Sequence, residues 1–371
     1  MRIFNIDLEK DILIIGEIGI NHEGNLKDAK KMIKLAAKSG LNAVKFQLYN
    51  LKKYEAKDNI FRYSRLNDFN LRDKDYVCLY KLAKKIGINV LATPVTEDKV
   101  KLAASFGEVV KVASGDINFF PTIDEIIKKK KKIILSTGNS TINEIRKTVN
   151  YIEKKSKFIF KNLSLLHCVS LYPTSIDDAN IRKIIYLKKK FPNLTIGYSN
   201  HCSEKEAVLS AVSLGAKIIE IHITNDKKNK EFRDHSLSFD NKNLKDLVNS
   251  IKLTHRAIQN YRINPCKKQI KIKKFMRKGI VASRNIKMGE KFTKKNLHYA
   301  RPAIYYQFKD LKKLLGQNAK KNFKSGSSII WCQIFQFVIK LINMKNFKIN
   351  ASVIGLGVGE KHLEFLKKNK Y

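Results

Sequence analysis

The chain has 371 residues, 43% of them hydrophobic, enough to fill a barrel-sized domain of about 250 residues and a smaller companion. Its net charge of +41, from 74 basic against 33 acidic residues, comes mostly from lysines strung along every helical stretch, such as Lys27, Lys30, Lys31, Lys34 and Lys38. That pattern reads as a solvated surface, whereas a nucleic-acid reader concentrates arginine and exposed aromatics on one face, so a nucleic-acid partner is not expected. Five cysteines, odd in number and without a C-x-x-C pair, exclude a disulfide scaffold and suit reduced thiols.

The first residues, MRIFNIDLEKD, carry charges where a secretory signal needs an apolar core, so the expected location is the cytoplasm. From Asp11 to about Arg256, short β-branched runs alternate with patterns of period near 3.6. Strands are predicted at 12–16, 43–46, 89–92, 109–112, 133–135, 163–166, 194–198 and 218–221. Eight parallel strands with intervening helices make an α/β fold, a closed (β/α)8 TIM barrel.

The residues at the carboxyl end of each predicted strand are more informative than the strand itself. In order come Glu17 with Asn21-His22, Lys45 and Gln47, Thr93, Lys111 with Ser114 and Asp116, Ser136-Thr137, His167 and Ser170, Ser199 and His201, and Glu220 with His222. Barrel enzymes carry their chemistry at the carboxyl ends of the strands, so these groups would converge on one mouth. Lys45 and Lys111 lie inside apolar runs, and a closed barrel has no solvated edge to hold a lysine. An anionic ligand is their expected partner. Ser114-Gly115 and Ser136-Thr137-Gly138 add hydroxyls and backbone N–H groups suited to phosphate.

The stretch from Thr195 to His222 reads as strand, loop, amphipathic helix, strand, with Ala207, Leu209, Val212 and Leu214 expected on the buried face of the helix. Parallel strands joined by a crossover helix end level with each other, which brings His201 and His222 together. Two imidazoles suit a divalent transition metal and leave positions for water and substrate. The mouth therefore reads as a metal beside a dianionic or trianionic substrate.

The segments GEIGINHEGNLKDAKKMIKLAAKSGLNAVKFQ, LATP, KVASGDI, LSTGNST, LHCVSLYPT, IGYSNHC, LGAKIIEIHIT and RDHSLS resemble the sialic acid (N-acetylneuraminate) synthases and their legionaminate and pseudaminate relatives, in the family's order. After a basic linker, RKGIVASRNIKMGEKFTKKNLHYARP is similar to the antifreeze-like (SAF) domain of these synthases, and reads independently as a small β-rich unit with a Lys-Met-Gly-Glu turn. The resemblance implies a transferase that condenses phosphoenolpyruvate with an N-acetylated amino sugar, N-acetylmannosamine or a 2,4-diacetamido hexose, giving a nine-carbon 2-keto acid and phosphate. It implies that His201 and His222 bind Mn²⁺ or Mg²⁺ and that Lys45, Thr93, Lys111, Ser114, Ser136, Ser170 and Ser199 cradle phosphoenolpyruvate. It further implies that Glu17 orients the reacting groups or water, and that Gln47, Glu220 and Asp234 hold the sugar. Arg301 would reach the sugar's acyl group from the SAF domain of the partner in a domain-swapped homodimer.

Several positions depart from the family pattern: Asn200 where Asp is common, Asp116 where Glu is common, Ser170 where Asn is common, Ile221 where Lys is common, and Ala303-Ile304 after Arg301-Pro302. These departures suggest a shifted substrate preference, with sugar discrimination placed in the loops after Gln47 and around 54–70. Another phosphoenolpyruvate-condensing barrel, or an inactive barrel kept as a binding protein, are the alternatives.

The expected domains are a synthase barrel over 1–262, a basic linker over 263–275 and a SAF domain over 276–330 whose C-terminal part, after about Lys324, reads as divergent or truncated. Residues 344–371 form a stub resembling the start of a Rossmann-type oxidoreductase, with Gly355-x-Gly357-x-Gly359, read as the product of a frameshift or gene-boundary fusion. The apolar run 329–342 is interrupted by Gln333, Gln336 and Lys340 and is shorter than the roughly 20 residues of a spanning helix, so no membrane anchor is expected.

Overall fold

The computed structural model describes residues 1–330, apart from 229, 231 and 260. It forms two compact units, Met1–Tyr261 and a second beginning at Arg262. The glycine-rich stub read over 344–371 lies outside the described residues.

The first unit is an eight-stranded parallel barrel: β1 (Leu13–Gly19), β2 (Ala43–Leu48), β3 (Asn89–Pro94), β4 (Val109–Val112), β5 (Lys132–Ser136), β6 (Leu163–His167), β7 (Thr195–Asn200) and β8 (Ile218–His222). Seven parallel ladders link them in the order β3-β2-β1-β8-β7-β6-β5-β4, and β3 packs beside β4 to close the ring. Most strands run one to three residues beyond the sequence expectation at their carboxyl ends. The ladders explain the difference: Glu17 pairs with both Lys45 and His222, Gln47 with Thr93, and Ser136 with Leu166. Backbone pairing thus continues into residues whose polar side chains read as loop.

Alternation along the strands sorts the side chains into two populations. Ile14, Val44, Phe46, Val90, Ala92, Val110, Ile133, Leu165, Ile196 and Ile219 face outward and pack beneath the helices. Leu13, Ile15, Ala43, Leu91, Val109, Ile134, Leu166 and Ile218 face inward and fill the lower barrel, which Ile3 and Leu8 of an N-terminal hairpin close from below. Two residues further along the same inward phase stand Glu17, Lys45, Thr93, Lys111, Ser136 and Glu220. The polar layer is therefore the top of the barrel core, held in place by the apolar layers under it.

The helix Lys205–Ser213 buries Ala207, Val208, Ala211 and Val212, and Leu209 and Leu214 are only partly buried. Ala207 and Val212 are thus buried as expected, whereas packing against β7 and the helix Leu244–Gln259 buries Val208 and Ala211 in place of the larger Leu209 and Leu214. In the second unit, the stretch read as a linker contains a helix, Lys267–Met276. It leads into an antiparallel pair, β9 (Gly279–Ala282) with β10 (Leu297–Ala300), around a small core of Ile280, Ile286, Phe292, Leu297, Leu314 and Phe323. The Lys287–Glu290 turn is closed by the Glu290 N–H donating to the Lys287 carbonyl, with Gly289 at φ +86°. No helix among the described residues is long and apolar enough to cross a membrane.

Gly197 lies on the inward phase of β7, where an added Cβ would stand 2.5 Å from the Ile218 carbonyl oxygen and from a Leu166 methyl. Backbone cannot move aside as a flexible side chain can. Gly197→Ala is expected to cost about 1–3 kcal/mol of stability by overpacking; urea unfolding of both proteins checks this, and unchanged midpoints would contradict the packing account.

Candidate functional site

At the top of the barrel two lysines and two glutamates share a buried layer. The Lys45 ammonium lies 2.6 Å from a Glu17 carboxylate oxygen and 3.7 Å from Glu220, and it donates to the Thr93 hydroxyl at 3.1 Å. Lys111 donates to Ser136 Oγ at 2.5 Å and to its neighbour's carbonyl at 3.2 Å. Ser199 donates to Glu220 at 2.9 Å and the Gln47 amide donates to Glu17 at 3.3 Å. The formal charge of the four ions is zero, which is how a buried set of this size avoids a prohibitive desolvation cost.

The four ions are not equivalent. Burial raises the pKa of Glu17 above the usual carboxylate range, Lys45 pulling the other way and the charge of Glu220 adding to the rise. For Glu220, burial is outweighed by Lys111 and Lys45, and its pKa falls. Burial would lower Lys45, but Glu17 and Glu220 more than offset it. Lys111 stays below its ordinary value because burial dominates and its carboxylate neighbours compensate only in part. The floor thus offers one carboxylate that holds a proton readily, one that stays ionised, and one cation without a full counter-charge.

Beside this layer stand the two histidines. His201 and His222 have ring centroids 5.3 Å apart, and the Tyr172 ring packs 4.1 Å from His201. Burial pushes His201 down to about 4, so the ring is neutral at physiological pH. Its Nδ1 lies 2.5 Å from the Val169 carbonyl oxygen, which can only accept. Nδ1 therefore carries the hydrogen and Nε2 keeps its lone pair, the tautomer a metal ligand needs. His222 Nδ1 is 3.9 Å from an Asp234 carboxylate oxygen. The donor chemistry fits a divalent cation held by His201 and His222 with open positions, although among the described residues no group of three or more His, Cys, Asp or Glu is placed to hold a metal ion together.

On the opposite side, Ser114 Oγ accepts from the Gly138 N–H at 3.0 Å and lies 3.0 Å from the Cys168 thiol. A Cβ on Gly138 would come within 3.0 Å of Ser114 Oγ, Cys168 Sγ and Ser170 Oγ together. Glycine is required here because three polar side chains crowd one backbone position.

Every barrel residue expected to bind substrate or metal, including His201, His222, Gln47, Ser170 and Asp234, lines one cavity of about 720 Å³. Asn21, His22, Thr137 and His167, expected at the same mouth, do not line it: Asn21 donates to the Ile223 carbonyl and the Ser238 hydroxyl, Thr137 donates to the Leu166 carbonyl, and His167 Nε2 lies 2.9 Å from the Ala179 carbonyl oxygen. Arg301 belongs to the second unit, following β10. Sequence reading missed several lining residues: Cys168 and Tyr172 flanking Ser170, and Tyr54, Glu55, Arg62 and Arg65 from the short helices Leu51–Tyr54 and Ile60–Asp68. The first two lie inside the LHCVSLYPT segment, where only their position beside Ser170 could have singled them out. The others lie in the loop assigned to sugar discrimination, but irregular spacing gave no way to choose among them.

The NeuB family model matches residues 32–262, and the SAF domain model matches 277–334. The chain is 35% identical to an N,N'-diacetyllegionaminic acid synthase of Campylobacter jejuni, over 86% of this chain and 99% of that protein. It is 33% identical to the N-acetylneuraminate-9-phosphate synthase of Homo sapiens, over 66% of this chain and 70% of that one. Among solved structures, the N-acetylneuraminic acid (sialic acid) synthetase of Leptospira borgpetersenii, in complex with citrate, superposes with a TM-score of 0.66 at 32% identity, covering 71% of this chain and 90% of that one.

Asp116, also on the cavity wall, has its carboxyl pushed up to about 6 by burial, which outweighs the nearby charge of Lys111. The folded state therefore holds this proton more tightly than the unfolded chain, and the stability it confers is lost as pH rises through about 4 to 6. Asp116→Asn removes that loss. The variant is expected to be more stable than the parent by about 1–2 kcal/mol at pH 7.5, after discounting for partial exposure, and indistinguishable near pH 4. Urea unfolding at the two pH values decides; equal differences at both would refute the assignment.

Proposed function

The chain belongs to the NeuB family, and we propose on that premise that it is a phosphoenolpyruvate-dependent synthase joining phosphoenolpyruvate to an N-acetylated amino sugar, N-acetylmannosamine or a 2,4-diacetamido hexose. The observation that carries this reading is the juxtaposition, in one cavity, of an incompletely compensated Lys111 with a set of hydroxyls and a pair of histidines, one held as a neutral donor. The first half suits a phosphorylated carboxylate; the second suits activation of a carbonyl.

In this proposal Lys45 and Lys111 take the phosphate and carboxylate charges of phosphoenolpyruvate, with Thr93, Ser114, Ser136, Ser170 and Ser199 supplying hydrogen bonds. Held this way, the methylene carbon faces the open-chain aldehyde, and the reaction becomes effectively unimolecular. A divalent cation, Mn²⁺ or Mg²⁺, bound by His201 and His222 would supply Lewis-acid polarisation of the aldehyde oxygen. Gln47, Glu220 and Asp234 hold the sugar hydroxyls. Carbon–carbon bond formation leaves positive charge at the former enol carbon, where water adds. Glu17, whose burial raises its proton affinity, takes the proton that this water gives up. Cleavage of the C–O bond to phosphate, with the new hydroxyl's proton leaving to the departing phosphate, then gives the 2-keto acid, and the proton held by Glu17 neutralises the alkoxide left at the former aldehyde oxygen. Arg301 of the partner subunit is proposed to reach the acyl group, which makes the working form a homodimer.

Phosphate release is the decisive readout. Full-length protein given phosphoenolpyruvate, Mn²⁺ and a panel of 2-acetamido and 2,4-diacetamido hexoses is expected to release phosphate with at least one sugar. Chelation should stop release and added Mn²⁺ restore it, and His201→Ala should fall about a hundredfold or more, the scale of losing one strong electrostatic contact to the transition state. Folded protein that releases nothing with any sugar, or a His201→Ala variant as active as the parent, would refute the synthase reading.

A further inference from the structure

The outward phase of β7 carries a buried polar cluster that the proposed reaction does not use. Ile196 packs there beneath the helices, but Tyr198 and Asn200 follow it on the same phase and Cys202 lies just beyond, none more than 2% exposed. The Asn200 side chain is fully engaged. Its Oδ1 accepts from the Tyr198 hydroxyl at 3.1 Å and from the Cys202 N–H at 3.3 Å, and its Nδ2 donates to the Cys202 carbonyl at 2.7 Å. The two ends of the amide are not interchangeable here, because the Cys202 N–H can only donate and its carbonyl can only accept. The position therefore requires one acceptor and one donor on a short side chain, which a carboxamide has and an ionised carboxylate lacks.

His201 lies between the two residues that this bracket joins. A side-chain oxygen that accepts from the N–H two residues on makes a turn without a backbone partner, and here it fixes the backbone from which His201 departs toward the mouth. Three further contacts rely on that departure. The His201 carbonyl accepts from the Thr174 N–H at 2.9 Å, its Nδ1 lies 2.5 Å from the Val169 carbonyl oxygen, and the Tyr172 ring packs 4.1 Å from its own. All three partners stand on the loop that follows β6, so a shift of the His201 backbone strains them together and carries Nε2 with it. Metal ligands are sensitive to such support: losing an outer partner typically costs about tenfold to a hundredfold in metal affinity.

Resting on the proposed metal role of His201 and His222, we infer that Asn200 is a positioning residue, whose carboxamide brackets Cys202 and so sets His201 for a divalent cation. Asn200 does not line the cavity, so it acts only through His201, from the helix-facing side of the strand. Asn200→Asp keeps the size and the acceptor of the side chain but sets a carboxylate oxygen against the Cys202 carbonyl. Asn200→Ala removes both bonds to Cys202.

Mn²⁺ binding to the full-length protein, read from loss of the free-ion electron paramagnetic resonance signal, tests this without turnover. His201→Ala marks the loss expected when a ligand itself is removed. Asn200→Ala and Asn200→Asp are each expected to weaken Mn²⁺ binding by about tenfold to a hundredfold. With Mn²⁺ raised to saturation, their phosphate release and their KM for phosphoenolpyruvate should return to within about threefold of the parent's, as expected when only cation binding is impaired. Ile152→Val, a core change that does not line the cavity, should lower the thermal midpoint and leave Mn²⁺ affinity unchanged, which separates positioning from lost stability. Folded Asn200 variants that bind Mn²⁺ as tightly as the parent overturn the inference and leave the synthase reading intact. If neither variant folds, Tyr198→Phe decides: losing the hydroxyl that holds Oδ1 should weaken Mn²⁺ about threefold, the scale of one hydrogen bond, and an affinity equal to the parent's overturns the inference. Parent binding of Mn²⁺ that is absent, or that survives His201→Ala, overturns the inference together with the metal assignment.

Discussion

Burying two ammonium groups and two carboxylates at one level of a closed barrel is the constraint on which the rest of this structure depends. Each ion taken alone would cost several kcal/mol to desolvate, and the cost is contained only because each sits within contact distance of opposite charge or of a hydroxyl. Such contact requires that Glu17, Lys45, Lys111 and Glu220 share one facing; the ladders set Glu17 beside Lys45 and Glu220 beside Ser199, and the inward phase of the strands turns all four into the barrel. The apolar layers below, from Leu13 to Ile218, exclude water from beneath the ions and hold the strands in register. The hairpin at Ile3 seals the base of that core, so a feature far from the mouth supports the electrostatics within it.

Much of this architecture is legible in the sequence. A lysine within AVKFQ or VVKVA contradicts its own neighbours unless a polar layer exists inside the barrel, and both lysines proved to be part of one. The strand-end rule likewise gathered Glu17, Thr93, Ser136 and His222 at a common mouth. Strand ends were less readable, because a polar residue on the inward phase of a barrel looks like the first residue of a loop. Only pairing with two neighbouring strands distinguishes them. The buried face of Lys205–Ser213 was half legible: Ala207 and Val212 are buried as expected, but size and hydrophobicity favoured Leu209 where the packing buries Val208 and Ala211. The Glu55–Arg62 ion pair could not be read at all, since irregular spacing over 54–70 gives no register from which to place either residue.

The charge distribution divides the molecule by function. Lysines dominate the exterior, where pairs such as Lys31 with Asp28 or Lys128 with Glu125 are exposed and contribute little to stability. The cavity floor instead balances its buried charges, Glu17 and Glu220 against Lys45 and Lys111.

The asymmetry among the four floor ions also bears on why the site is poised to bind. Were the charges perfectly matched, an entering anion would have to break good ion pairs to make equivalent ones, with little net gain. Lys111 is held below its ordinary pKa because burial is only partly compensated, so an anion beside it gains a full electrostatic contact without displacing an equal one. Lys45, clasped by Glu17 and Glu220, has far less to gain. In the proposed reaction the phosphate is expected to be drawn to the Lys111 side, where Ser136 already receives the ammonium's hydrogen bond and Ser114 and Ser170 crowd around Gly138. The incomplete compensation that lowers the stability of the empty barrel is the same quantity that an anionic substrate recovers on binding.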